Sequence, residues 1–166
     1  MEEKNSNTEK LTFEKIREFQ RLENQKKYDR SHIGRYSKKK EEIEIKRAVL
    51  MEDPIYEYVQ FVVDSVCEIL RVPKDNILSS YRGDYVTQAR YYIIEIVSLN
   101  TDLGSDVMYL VNRDRTSYYH VIDSVDTYKT SYVQKRQYDK CFNACTMSAF
   151  NRFKKEKDEK GKVDNG

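Results

Sequence analysis

An all-α fold is predicted for this 166-residue chain by three observations. Five Gly and two Pro are too few for a turn-rich β protein. Apolar residues recur three and four positions apart along most of the chain, which is the period of a helix face. The most β-branched stretch, "YVTQARYYIIEIVSLN", is longer than most strands and carries a helical stripe of Val86, Ala89, Ile93 and Val97. The length allows one compact domain with extensions. Charged residues make up 35% and apolar residues 39%, so part of the chain is expected to be solvated helix or flexible tail.

The elements follow in order. Residues 1–50 are expected to form a basic, partly disordered helical extension, with the first ten residues unstructured. Within it Thr12 caps a modest amphipathic helix to about Lys27, marked by Phe13, Ile16, Phe19 and Leu22. "SHIGRYSKKK" breaks the pattern at Gly34, and "EEIEIKRAVLM" reads as helix, supported by the Glu42 and Lys46 spacing. The clearest start is "EDPIYEY": Asp53 caps, Pro54 suits the first helical position and Glu57 complements the dipole. Ile55, Val59, Val62, Val66, Ile69 and Leu70 form its buried face, and Pro73 ends it by disfavouring helical geometry at Val72. "KDNILSSYRGDY" reads as a short helical turn with a break at Gly83 and Asp84. The β-branched stretch is helix, and after "NTDLG" Ser105 caps a very short helix through Val111. The next helix buries Tyr118, Val121 or Ile122, Val125 and Tyr128. A last helix runs from about Ser131 to Lys155, placing Tyr138, Cys141 or Phe142, Cys145, Ala149 and Phe153 on one face. The expected organisation is therefore an extension over 1–50, a central domain over 51–130, a C-terminal helix over 131–156 and a disordered tail over 157–166.

Several function classes are excluded at this level. No apolar run is long enough to span a membrane, and "MEEKNSNTEK" is polar and acidic where a secretory signal is basic and then apolar. The expectation is a cytoplasmic protein without membrane contact. Cys67, Cys141 and Cys145 are an odd set without framework spacing, in keeping with a reducing compartment. Cys141 and Cys145 share a helix face and a metal held with His32 or His120 is conceivable, but two small core-facing residues are the simpler reading, so no metal or cofactor is expected. There is no G-x-x-x-x-G-K-[ST] loop and no nucleophile set beside a base, which argues against an enzyme.

The net charge of +2 is unevenly spread. Residues 1–50 carry 14 basic and 10 acidic side chains, residues 51–130 carry 7 and 13, and residues 131–166 carry 9 and 5. Nucleic-acid binding needs phosphate neutralisation, so an acidic middle would need its basic flanks.

The stretch "VNRDRTSYYHVIDSV" sets a polar cluster at the mouth of a helix whose later face is apolar. A short helix, a tight turn and such a second helix make the outline of a helix-turn-helix, in which the tip of the second helix reaches base edges and its amides favour phosphate. Arg113, Asp114, Arg115, Thr116 and Ser117 lead that tip: Arg forks onto guanine, Asp accepts from cytosine, and Thr touches thymine or phosphate. The plainer alternative is that Asp114 caps the helix and the arginines are ordinary solvated residues.

Three segments in order, "ILRVPKDNILSSYR", "VTQARYYIIEIVSLNT" and "GSDVMYLVNRDRTSYYHVIDSV", resemble the C-terminal DNA-binding domain of the bacterial replication initiator DnaA, over about Tyr58 to Tyr128. The family's Arg-Asp-His-Thr-Thr core with its following His is matched here by "RDRTSYYH". The resemblance implies an all-helical helix-turn-helix domain, with Arg113 to Ser117 at recognition-helix positions, His120 at the family's His and Arg82 in the basic loop that enters the minor groove. It implies double-stranded DNA as partner and regulation of replication or transcription in a bacterium or phage. Arg115 stands where the family has His, Val111 and Asn112 replace Gly-Gly, and "GDY" follows Arg82 with an acid where the family often has a base. A different expectation stands beside it: the acidic middle docks onto a replication or transcription protein without touching DNA.

Overall fold

A computed structural model describes residues 17–24 and 38–163, and every regular element among them is helical. The Thr12 cap, Phe13, Ile16 and the Gly34 break lie outside the described residues. The chain divides into two compact units, Met1–Glu42 and Ile43–Gly166. In the first, residues 17–24 and 38–42 are helical and face solvent.

The second unit opens with helical residues 43–51, of which Leu50 packs against the core. α1 (Ile55–Leu70) starts as its sequence dictates. The Asp53 carboxylate accepts from the Ile55 amide at 2.9 Å, and Pro54, which has no amide to satisfy, stands at the N-cap with helical dihedrals, one position ahead of the first helical place expected of it. α1 ends where Pro73 requires. The Val72 amide reaches the Cys67 carbonyl at 2.9 Å and the Arg71 amide reaches the Glu68 carbonyl at 3.3 Å, with Arg71 left-handed at φ 54°. This is a Schellman closure without the customary glycine.

α2 (Lys74–Leu78) is a single turn, and after it residues 79–83 cross to α3 (Asp84–Asn100). Asp84 is the first residue of α3 rather than part of the preceding break. α3 is the central element: Tyr92, Ile93, Ile94, Ile96 and Val97 are all essentially inaccessible, and it touches α1, α2, α4, α5 and α6. A helix apolar on most sides has to be surrounded, and this one is. Its buried polar residues are tied down. Gln88 donates to the Tyr92 hydroxyl and to Gln137, Tyr92 donates to the Gln134 carbonyl, and Glu95 is paired with Lys129 at 2.9 Å.

A 3₁₀ turn (Gly104–Asp106) leads into α4 (Val107–Leu110). Ser105 lies inside that turn and is not the cap, because Gly104, left-handed at φ 52°, starts the coil one residue earlier. α5 (Tyr118–Tyr128) buries Val121 and Val125 and half-buries Tyr118 and Tyr128, as its spacing predicts.

The expected single C-terminal helix is two: α6 (Tyr132–Ala144) and α7 (Met147–Val163). Thr146 starts the second one, its hydroxyl accepting from the Ala149 amide at 3.2 Å. The interruption leaves the Cys145 carbonyl open to the buried Tyr58 hydroxyl, 2.6 Å away. α7 then continues to Val163, well into the stretch expected to be disordered from residue 157. Tyr138, Cys141, Cys145 and Phe150 sit in the same core as α1 and α3, so residues 131–150 complete the central domain instead of following it. No helix among the described residues is long and apolar enough to cross a membrane.

Candidate nucleic-acid interface

The turn between α4 and α5 is a second Schellman closure. The Arg113 amide bonds the Met108 carbonyl at 2.9 Å, the Asn112 amide bonds Tyr109 at 3.0 Å, and Asn112 is left-handed at φ 57°. Asn tolerates that conformation better than other side chains with a Cβ, which explains how the turn forms without a glycine.

Both residues of this turn reach back to the chain that follows α2. The Asn112 amide group donates to the Leu78 carbonyl at 3.1 Å, and the Arg113 guanidinium donates to the Ser79 carbonyl at 2.8 Å and to its neighbour Asn112 at 2.9 Å. From the other side Arg90, on α3 and only 3% exposed, donates to the carbonyls of Ile77 at 2.7 Å, Asn76 and Ser79 at 3.0 Å. Two guanidiniums therefore clamp the carbonyls around residues 76–79, and the loop that carries the exposed Arg82 is held beside the entry to α5. Burial above all, and then the charges of Arg113 and Arg82, lower the Arg90 pKa to about 10.

The polar cluster is thus split. Arg113 and Asp114 are half-buried and work within the fold: Asp114 accepts from the Thr116 amide at 2.8 Å and starts the 3₁₀ turn Arg115–Ser117. This agrees with the capping alternative for Asp114 and places Arg113 against a loop carbonyl. Arg115, Thr116 and Ser117 face solvent on that turn, ahead of α5 itself. Arg115 lies 3.7 Å from Asp106 with both side chains about half exposed, a pairing that water largely screens. His120 is exposed, with its ring edge-on to Tyr91 at 6.4 Å.

Sequence reasoning missed Arg90. A signal was present: Arg90 lies four after Val86 and four before Ile94, on a stripe otherwise meant for the core. Farther along α5 the exposed side chains change character. No Lys or Arg occurs between Tyr118 and Tyr128, while Asp123 and Asp126 face solvent. The three cysteines are buried and reduced, and burial raises the thiol pKa to about 11 for Cys67, about 12 for Cys141 and about 11 for Cys145, which makes them unreactive packing groups. What remains at this end of the molecule is three exposed tip residues, Arg115, Thr116 and Ser117, beside a clamped loop that carries the exposed Arg82. No family model matches the chain, and neither a curated protein nor a solved structure matches it.

Proposed function

We propose that the chain binds double-stranded DNA through α4, the Asn112 turn and α5, and that it regulates replication or transcription in a bacterium or phage. The observation that carries this reading is the fastening of the Arg82 loop to the α4–α5 turn by Asn112 and Arg113. It brings two cationic projections, Arg82 and Arg115, to one end of the fold with Thr116 and Ser117 between the turn and α5. In this reading Arg115 addresses a base edge in the major groove, Thr116 and Ser117 hold phosphate, and Arg82 enters the neighbouring minor groove. Arg113 and Asp114 act as positioning residues. The "RDRTSYYH" resemblance to DnaA points the same way, with Arg115 in place of the family's His altering base preference.

The test is fluorescence anisotropy with a random-pool duplex and with sequences selected from it, over a series of salt concentrations. Affinity falls steeply with salt, and Arg82→Ala reduces the salt slope by about one. Arg115→Ala loses about 1–3 kcal/mol on the selected site and relaxes preference at one position. Unchanged binding and preference in Arg115→Ala, in a variant that melts like the parent, removes the recognition assignment.

A second reading, docking onto a replication or transcription protein, has one observation of its own. α5 presents Tyr119, 78% exposed, with Asp123 and Asp126 and no cation, a surface that repels phosphate and suits a protein partner. Absence of duplex binding by the intact chain at low salt favours it.

A further inference from the structure

A cleft of about 430 Å³ opens beside the Arg82 loop, between the end of α1 and the start of α3. Its floor is apolar, made by Leu70, Val72 and Val86. Its walls include two tyrosines that the fold leaves outside the core, Tyr81 at 58% exposure and Tyr85 at 75%. Tyr85 stands in the first turn of α3, while Tyr81 lies across Gly83: a Cβ at that position would come within 2.7 Å of the Tyr81 hydroxyl and closer still to its ring. The glycine is what permits the Tyr81 ring to lie there. Arg71 lines the same cleft, and Arg82 follows Tyr81 directly; both are exposed.

Exposed aromatic faces over an apolar floor, with guanidiniums at the margin, are the components of a stacking platform. A π-face accepts any base, and the cations hold the backbone phosphates that flank it. A duplex cannot use such a cleft, because its bases are already stacked. We propose that this cleft holds an unpaired base of a single-stranded nucleic acid, stacked on Tyr85 and Tyr81, with the adjoining phosphates at Arg71 and Arg82. The Asn76 amide and the Asp84 carboxylate, also on the lining, offer polar groups to the base edge. This goes beyond duplex recognition by the α4–α5 tip and shares only Arg82 with it, since Tyr81, Tyr85 and Arg71 take no part in that reading.

The experiment is anisotropy of the intact chain with a fluorescein-labelled oligothymidine of roughly ten nucleotides, at low salt. The parent binds, Tyr85→Phe binds as the parent does, and Tyr85→Leu loses roughly tenfold or more in affinity, the worth of one aromatic stack. Gly83→Ala displaces the Tyr81 ring and weakens binding in the same direction. Both positions are tolerant of change, since Tyr85 is largely exposed and Gly83 has an extended backbone with φ −61°. Tyr85→Leu retains the parent's affinity for duplex. No binding by the parent, or equal binding by parent and Tyr85→Leu, overturns the proposal. Full competition by an equimolar amount of thymidine monophosphate also overturns it, in favour of a free nucleotide as ligand.

Discussion

Arg71 and Asn112 are the two non-glycine residues in left-handed conformation among the described residues, and each closes a helix by the same pair of hydrogen bonds. Their costs differ. Asn bears this geometry with little strain, whereas an Arg side chain there loses roughly 1 kcal/mol. Arg71→Gly is therefore expected to raise stability by about 0.5–1 kcal/mol, the relief exceeding what glycine adds to unfolded-state freedom. A urea midpoint that rises without a change in slope checks this, and an unchanged or lower midpoint refutes it. The same variant should weaken oligothymidine binding, because Arg71 stands at the cleft. Stability and binding moving in opposite directions would identify Arg71 as a residue retained for its charge. The stop at Pro73 was legible from sequence, since proline restricts the residue before it; the left-handed arginine was not, because nothing local distinguishes it from any other exposed arginine.

Among the elements, the interruption between α6 and α7 best separates what a pattern can and cannot say. Tyr138, Cys141, Cys145, Ala149 and Phe153 keep an unbroken helical spacing, so the segment reads as one helix. Thr146 carries a cap signal that this stripe hides. The decisive partner lies 87 positions away: Tyr58 donates to the Cys145 carbonyl, which a continuous helix would have occupied with the Ala149 amide. Rings close the same joint, with Phe61 5.4 Å from Phe150 and 5.2 Å from Phe153, while Lys154 reaches Glu57 at 2.9 Å across α1 and α7. Thr146→Ala is expected to cost about 1 kcal/mol through the lost cap. Tyr58→Phe leaves a buried carbonyl without a donor and costs about 1–3 kcal/mol. Thermal melts of the two variants check both values, and a Tyr58→Phe protein as stable as the parent would show that the carbonyl finds another donor.

For the molecule as a whole, the core that surrounds α3 holds several groups that ionise only in strong base. Burial raises Cys67, Cys141 and Cys145 to about 11, 12 and 11 from an ordinary 9.0, and raises Tyr92 to about 12 from 10.0; Tyr58 and Tyr138 are pushed in the same direction, chiefly by burial. Each of these is held neutral by folding, so its folded-state pKa lies above its unfolded one. Their contribution is complete below about pH 9, where both states are neutral, and is lost as pH rises because the unfolded chain releases protons first. The urea midpoint should hold steady between about pH 7 and 8.5 and fall progressively above about pH 9. A midpoint independent of pH up to 11 would contradict the burial of these groups. The same core explains why residues 51–130 do not stand as a separate domain: without Tyr138, Cys141, Cys145 and Phe150 the faces of α1 and α3 lose part of their cover.

The sequence by itself determined the helical class, the start of α1 just after Asp53 and Pro54, its stop before Pro73, the face of α5 and one stripe of α1 and of α3. Each follows from chemistry acting within one or two turns, where a cap, a proline or a spacing of three and four leaves a local mark. Tyr58, Val63 and Cys67 on α1 and Tyr92, Ile94 and Ile96 on α3 are buried outside those stripes. Only the tertiary structure decided which of Arg113 to Ser117 face outward. Arg113 turns toward the Ser79 carbonyl, 34 positions away, and Arg90 leaves the solvated class for the interior to satisfy carbonyls at the end of α2. A hydrogen bond between such distant residues depends on how the helices pack: the stripe that carries Arg90 marks it as inward-facing, but nothing local names the carbonyls it reaches.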